Sequence, residues 1–206
     1  MNWIEINNFG WNAQTIGAVG ILVFVGWNVW AMLKQNKLIW SKQKGTSVSI
    51  VWFAYFAGYQ LIGVVYGFEI KSLTMVINGL SRGFFLIPIL IGLWKFKGYN
   101  KIEKISTVLI FVAVCTSLII PWIEWYFFIF SWGVLGTMAL QPIEIWRNRD
   151  SGVVDIRMII VYILAGIFWL SYVFTINDLV LMIFNSVSIS IMMITLVIWL
   201  KFKKKG

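Results

Sequence analysis

Gln141-Pro142-Ile143-Glu144-Ile145-Trp146 stands 106 positions after Gln35-Asn36-Lys37-Leu38-Ile39-Trp40 and shares its first, fifth and sixth residues. The same offset carries Tyr66 to Tyr172 and Lys95-Phe96-Lys97 to Lys201-Phe202-Lys203. Asn78 meets Asn185 at an offset of 107, with one residue of slippage. Each match is weak alone. A shared offset is the mark of an internal repeat.

The repeat is built from apolar runs. Of the 206 residues, 60% are apolar and 12% are charged. A soluble domain needs roughly 25% charged residues to cover its surface, so this chain has too little polar surface to live in water. Crossing a bilayer takes about 20 apolar residues. Seven stretches reach or approach that length: 13–33, 47–67, 73–93, 105–120, 126–143, 158–174 and 179–200. Residues 1–15 lack a basic leader, and the first run is too long for a signal-peptide core, so it reads as the first membrane helix.

The segments between the runs set the orientation. Lys34, Lys37, Lys42 and Lys44 follow the first, and Lys95, Lys97, Lys101 and Lys104 the third. Arg147, Arg149 and Arg157 follow the fifth, and Lys201, Lys203, Lys204 and Lys205 the seventh. These segments hold 15 of the 17 basic residues. The opposite side has Lys71 with Glu69, Glu124 and Asp178. By the positive-inside rule the chain is an all-α membrane protein of seven spans, N-terminus outside and C-terminus cytoplasmic. The repeat then makes spans 1–3 and 5–7 two three-helix units (3+1+3), residues 1–98 and 123–206, with a linker helix at 99–122. Three helices plus a linker restore the starting direction, so the units are parallel. Such parallel repeats occur in transporters whose substrate site lies near the midplane between them.

Composition excludes much else. The net charge of +9 is spent in the loops, which argues against nucleic acid as a partner. One cysteine, Cys115, and no histidine leave no intramolecular disulfide, no metal cluster and no nucleophile–base pair. The expectation is a non-enzyme with no cofactor. No Asp or Glu falls in mid-span, so a proton relay is lacking and uncoupled diffusion is expected. Of the 13 Trp, residues 40, 94, 122, 125, 146 and 199 fall at span ends, as an interfacial belt would. The lysine tail suits anionic lipid as well as orientation. The richness in Lys, Ile and Asn points to a bacterial cytoplasmic membrane. A homo-oligomer is compatible with these features.

Three positions inside the spans carry polar chemistry. Asn78 and Asn185 are amides in apolar helices, which must find partners. They serve either as interhelical glue or as groups offered to a solute, and their repeated placement favours the second. Arg82 lies about 15 Å along the third span, one turn from Asn78 and on the same face. An arginine at that depth usually faces a cavity, and it suits an anionic or strongly polar solute. Its other reading is an arginine capped by carbonyls or water. Gly79 and Gly83 share its spacing and allow close helix approach.

The 3+1+3 pattern and the segment from Gln141-Pro142 to Arg149-Asp150-Ser151-Gly152 resemble the SWEET sugar facilitators and the wider PQ-loop (MtN3/saliva) superfamily. The motif dipeptide, Pro-Gln in that family, is reversed here, and the first repeat has Asn36 in place of proline. The resemblance implies a uniporter for a small polar solute such as a sugar, working by alternating access. It implies that Asn78 and Asn185 line the site and that Trp169, sixteen residues before Asn185, stacks on the solute. Trp169 also reads as a packing aromatic. Tyr59 is the nearest aromatic counterpart in the first repeat. Gln141 and Pro142 fall at the motif's hinge. A vitamin-precursor carrier of the nicotinamide riboside type, or a non-transporting PQ-loop receptor or accessory protein, are the rival readings.

Overall fold

The computed structural model describes residues 2–43, 50–149 and 156–202. These form helices α1 (Ile4–Asn7), α2 (Ala13–Lys42), α3 (Ile50–Glu69), α4 (Leu73–Phe96), α5 (Lys101–Ser117), α6 (Ile123–Asn148), α7 (Ile156–Ile176) and α8 (Leu179–Phe202), with no strand among the described residues. Six of them, α2, α3, α4, α6, α7 and α8, are long and apolar enough to cross a membrane. The remaining long helix, α5, has 17 residues, about 25 Å at 1.5 Å per residue, and covers most of the fourth apolar stretch. Hydrocarbon offers the backbone no hydrogen-bond partner, so apolar runs of this length fold as helices. Their ends must then find partners of their own.

Those ends repeat. Gln43 (φ 49°) follows α2 and Arg149 (φ 50°) follows α6, while Lys71 (φ 55°) and Asn177 (φ 54°) terminate α3 and α7. Non-glycine residues seldom hold positive φ, yet both pairs fall 106 residues apart. Ser72 and Asp178, which follow Lys71 and Asn177, cap the next helices. The Ser72 hydroxyl accepts from the Met75 N–H (3.1 Å), and the Asp178 carboxylate accepts from the Leu181 N–H (2.8 Å). The two cap amides donate back to Gly67 O (2.9 Å) and Val173 O (3.3 Å), again at an offset of 106.

Asp178 brings its own negative charge to the α8 N-terminus, where the helix dipole favours it. Ser72 cannot, and Glu5 supplies the charge instead. One Glu5 carboxylate oxygen accepts from the Ser72 hydroxyl (3.0 Å) and the Thr74 N–H (2.9 Å), and the other from the Leu73 N–H (2.9 Å). The Ile4 N–H donates to Lys71 O (3.1 Å) and holds α1 against this turn.

Between α4 and α5 the chain reverses through Gly98 (φ 73°), a left-handed position that glycine takes without strain. The Lys97 and Gly98 N–H groups both donate to Leu93 O (3.0 and 3.2 Å). Asn100 and Glu103 then form a reciprocal capping box, and Lys97 Nζ sits 3.1 Å from the Glu103 carboxylate. The backbone N–H of Asn100 holds the Glu103 carboxyl below the usual carboxylate range; desolvation opposes it, and Lys97 adds a lesser lowering.

The chain divides into two compact units, Met1–Asn7 with Leu22–Phe127, and Asn8–Ile21 with Phe128–Gly206. In the first, Ile39, Ile50, Ala57, Leu86, Ile89 and Leu93 form the core, with Phe53, Leu90 and Phe96 packed on it. In the second, Ile145, Ile159 and Trp199 do so, with Ile156, Ile163, Leu196, Ile198 and Phe202 around them. Ile39/Ile145, Ile50/Ile156, Phe53/Ile159, Ala57/Ile163, Leu90/Leu196, Leu93/Trp199 and Phe96/Phe202 are all separated by 106. The first unit also holds an aromatic column in which Phe127 stacks on Tyr66 (4.6 Å) and on Tyr59 (5.3 Å). In the second, Gly17 lets α2 lie on Tyr172, where an added Cβ would stand 2.9 Å from the Tyr172 Cβ.

Glu5→Ala removes three hydrogen bonds to an ionised acceptor and is expected to lower stability by about 1.5–3 kcal/mol, read from reversible unfolding in detergent. Because the folded Glu103 pKa is depressed, its contribution is present above the unfolded value and disappears as pH falls through the folded one. Amide protection factors over residues 98–104 are expected to drop on acidification below about pH 4 in the native chain. In Glu103→Gln they should be low already at neutral pH.

Candidate functional site

α3 and α4 approach closely because glycine faces α3 at the crossing. A Cβ on Gly79 would lie 2.6 Å from Gln60 O and 2.7 Å from Val64 Cγ2, and one on Gly83 3.0 Å from Leu61 Cδ2. This is the close approach that the Gly79/Gly83 spacing predicts. It brings Asn78 of α4 onto Gln60 of α3, both buried, at 5% and 2% exposure.

The two amides share one hydrogen bond, Asn78 Nδ2 donating to Gln60 Oε1 at 3.3 Å. Gln60 Nε2 and Asn78 Oδ1 are buried and have no hydrogen-bond partner among the described residues. Turning both amides over exchanges the bonding atoms but leaves the same remainder, one NH2 group and one carbonyl. Leaving a polar group buried without a partner costs about 1–3 kcal/mol, so the two leftover groups, side by side, call for a partner between them. A donor and an acceptor set together complement a hydroxyl, which both accepts and donates.

Gln60 is the residue that reading the sequence passed over in favour of its neighbour Tyr59. It is the one amide in α3, and a lone amide in so apolar a run was the available signal. Tyr59 is buried, with its ring stacked on Phe127 at 5.3 Å and on Phe56 at 6.3 Å. Arg82 is half-buried one turn beyond Asn78 on α4.

The second unit places its residues differently. Asn185 is buried (5%) and donates through Nδ2 to Leu181 O of its own helix at 2.8 Å. Ser188 in turn donates to Asn185 O at 3.0 Å. Trp169 is half-buried and meets Tyr172 edge to face at 6.1 Å. The caps before Asn78 and the core positions after it both keep the offset of 106, which leaves no room for the one-residue slip. In that register Asn78 corresponds to Phe184, Asn185 to Gly79, Arg82 to Ser188, and Gln60 to Gly166. Against Gly166 packs Ile189, the counterpart of Gly83. Bulk and space have changed places across the helix pair. The polar pair of α3 and α4 has no counterpart at the matched positions of α7 and α8.

Of the motif residues, Pro142 is buried inside α6. The Gln141 side chain and residues 150–155, which complete the motif, lie outside the described residues.

Six membrane-length apolar helices define a helical membrane protein. Residues 121–206 match the family model MtN3_slv, a sugar efflux transporter for intercellular exchange, and this bears out the resemblance to the SWEET and PQ-loop superfamily. That family is one of transporters, not of enzymes. Among curated proteins none matches the chain.

Two glycines test the packing. Gly79→Ala is expected to cost about 1–3 kcal/mol by forcing α3 and α4 apart. At Gly136 of α6 an added Cβ meets nothing within 4 Å. Gly136→Ala is therefore expected to be neutral or to stabilise by up to about 1 kcal/mol through helix propensity. Thermal unfolding of the two variants in one detergent compares them directly.

Proposed function

We propose that the chain is a facilitator for a small polyhydroxylated solute such as a sugar, working by alternating access without ion coupling. The observation that carries this reading is the Gln60–Asn78 pair, whose leftover NH2 and carbonyl are matched to a solute hydroxyl. The family match over residues 121–206 supports the same class of solute. Asn185 and Arg82 offer further polar contacts, Trp169 a ring for the apolar face of a sugar, and Tyr59 shapes the wall beside Gln60. Gln141 and Pro142 serve as a hinge in α6, since proline removes a helix hydrogen bond.

The fold in this reading is the 3+1+3 repeat of residues 1–98, 99–122 and 123–206, with α5 as the linker. Its support is the single offset of 106 shared by left-handed turns, caps and cores. The positive-inside distribution supports an outer N-terminus and a cytoplasmic C-terminus, in a bacterial cytoplasmic membrane.

Uptake of labelled glucose into liposomes holding the purified protein tests the proposal. Saturable flux, unaffected by an uncoupler, is expected. A Gln60→Leu/Asn78→Leu double variant is expected to lose about tenfold in flux, the worth of about one hydrogen bond to the solute. Its melting temperature should be unchanged or higher, because replacing both partners of a strained buried polar pair by apolar groups of similar shape is neutral or stabilising. A pair serving only as packing glue would give the reverse, with lower stability and intact flux. Inhibition by nucleosides with no sugar flux would move the assignment to a vitamin-precursor carrier.

A further inference from the structure

The basic ends of the two units carry the same three-residue clasp. In the first, Trp40 of α2 meets Phe96 of α4 edge to face (5.4 Å, 90°), with Lys95 Nζ 5.5 Å from the Trp40 ring centre. In the second, Trp146 of α6 meets Phe202 of α8 (5.6 Å, 87°), with Lys201 Nζ 4.5 Å from the Trp146 ring centre. All three positions are related by the offset of 106.

The clasps differ in what lies under the tryptophan. Trp40 rests on Gly92, where an added Cβ would stand 2.9 Å from its Nε1, and that Nε1 donates to Pro88 O at 3.1 Å. The matched positions of α8 are Ile198 and Ile194. A branched side chain where Gly92 has none leaves Trp146 no seat on the helix, and Trp146 is 53% exposed against 39% for Trp40. The result is a groove of about 380 Å³ bounded by Pro142, Ile143, Trp146 and Arg147 of α6 and by Ile194 and Ile198 of α8. Its walls are mostly hydrocarbon and include Arg147, with Lys201 held over the face of Trp146.

A hydrocarbon groove with Arg147 in its wall, and with Lys201 over the ring of its wall residue Trp146, is complementary to an amphiphile with an anionic head. We propose that this groove binds one acyl chain of an anionic phospholipid, whose phosphate is held by Arg147 and Lys201. Arginine gives the phosphate a forked pair of donors, and Trp146 places its ring at headgroup level. The first unit has the cation and the rings, but there Trp40 lies on Gly92 and Pro88 at the positions matched to Ile198 and Ile194. The site does not depend on which solute the protein carries.

Native mass spectrometry of the full chain in detergent, titrated with dioleoyl phosphatidylglycerol or dioleoyl phosphatidylcholine, tests this. One phosphatidylglycerol per chain is expected to bind in preference to phosphatidylcholine. Arg147→Gln is expected to weaken it about fivefold, the equivalent of the roughly 1 kcal/mol carried by one cation near an anionic headgroup. Ile194→Trp, which fills the groove, should weaken both lipids, and Lys95→Gln in the first unit should change neither. Equal binding of the two lipids would overturn the proposal. So would phosphatidylglycerol binding that survives both Arg147→Gln and Ile194→Trp, or that falls as far in Lys95→Gln. A second copy of the chain retained in place of lipid, and lost in Ile194→Trp, would overturn it as well. Arg147 is exposed, so its replacement tests the site in a chain that still folds.

Discussion

Backbone groups that leave a helix inside a bilayer have nowhere else to go, and this constraint governs the chain from end to end. Three described turns answer it alike: Lys71, Gly98 and Asn177 are left-handed, and Ser72, Asn100 and Asp178 cap the helices that follow. Where the cap is a neutral Ser72, the chain sends Glu5 from a distant segment to supply the anion that Asp178 carries itself. Helices so terminated can be packed by small residues without unpaired ends, and the α3–α4 crossing at Gly79 follows from that freedom.

The two units agree at some positions 106 residues apart and differ at others. Turns, caps and core positions have kept a common register, since a slip of one residue would turn a helix face by about 100°. Side-chain bulk has not been kept. Gln60 against Gly83 has become Gly166 against Ile189, and Trp40 on Gly92 has become Trp146 beside Ile198. Each exchange leaves the backbone alone and changes what surface or pocket the helices present. One unit thereby keeps buried amides, and the other gains an apolar groove.

Hydropathy and the alternation of basic loops were enough to see the helices, because a bilayer demands length and apolarity of any sequence that crosses it. The repeat was visible for a similar reason, in Gln35/Gln141, Trp40/Trp146 and Lys95/Lys201. The buried site was harder to read. Asn78 stood out as an amide in an apolar run, but its partner Gln60 is set by which faces of α3 and α4 meet, and that depends on the glycines of both. Asn185 was paired with Asn78 because both are asparagines in third helices. Caps and cores on either side hold the register at 106 and align it with Gly79. Glu5 was not singled out, since nothing local marks a residue that caps a helix more than sixty positions away. Trp40 and Trp146 read as members of an interfacial belt. Their contacts with Phe96 and Phe202 are tertiary and leave no local trace.

The tightness of the α3–α4 crossing has a stereochemical consequence. Gln60 and Asn78 are held by two helices that cannot slide apart without lifting Gly79 off a carbonyl, so the pair presents one fixed direction for a donor and one for an acceptor. A hydroxyl that meets them must point along both. A sugar and its epimer at that carbon differ in just this respect, so under the proposed function a rigid reader of one hydroxyl would tell them apart while ignoring changes elsewhere on the ring.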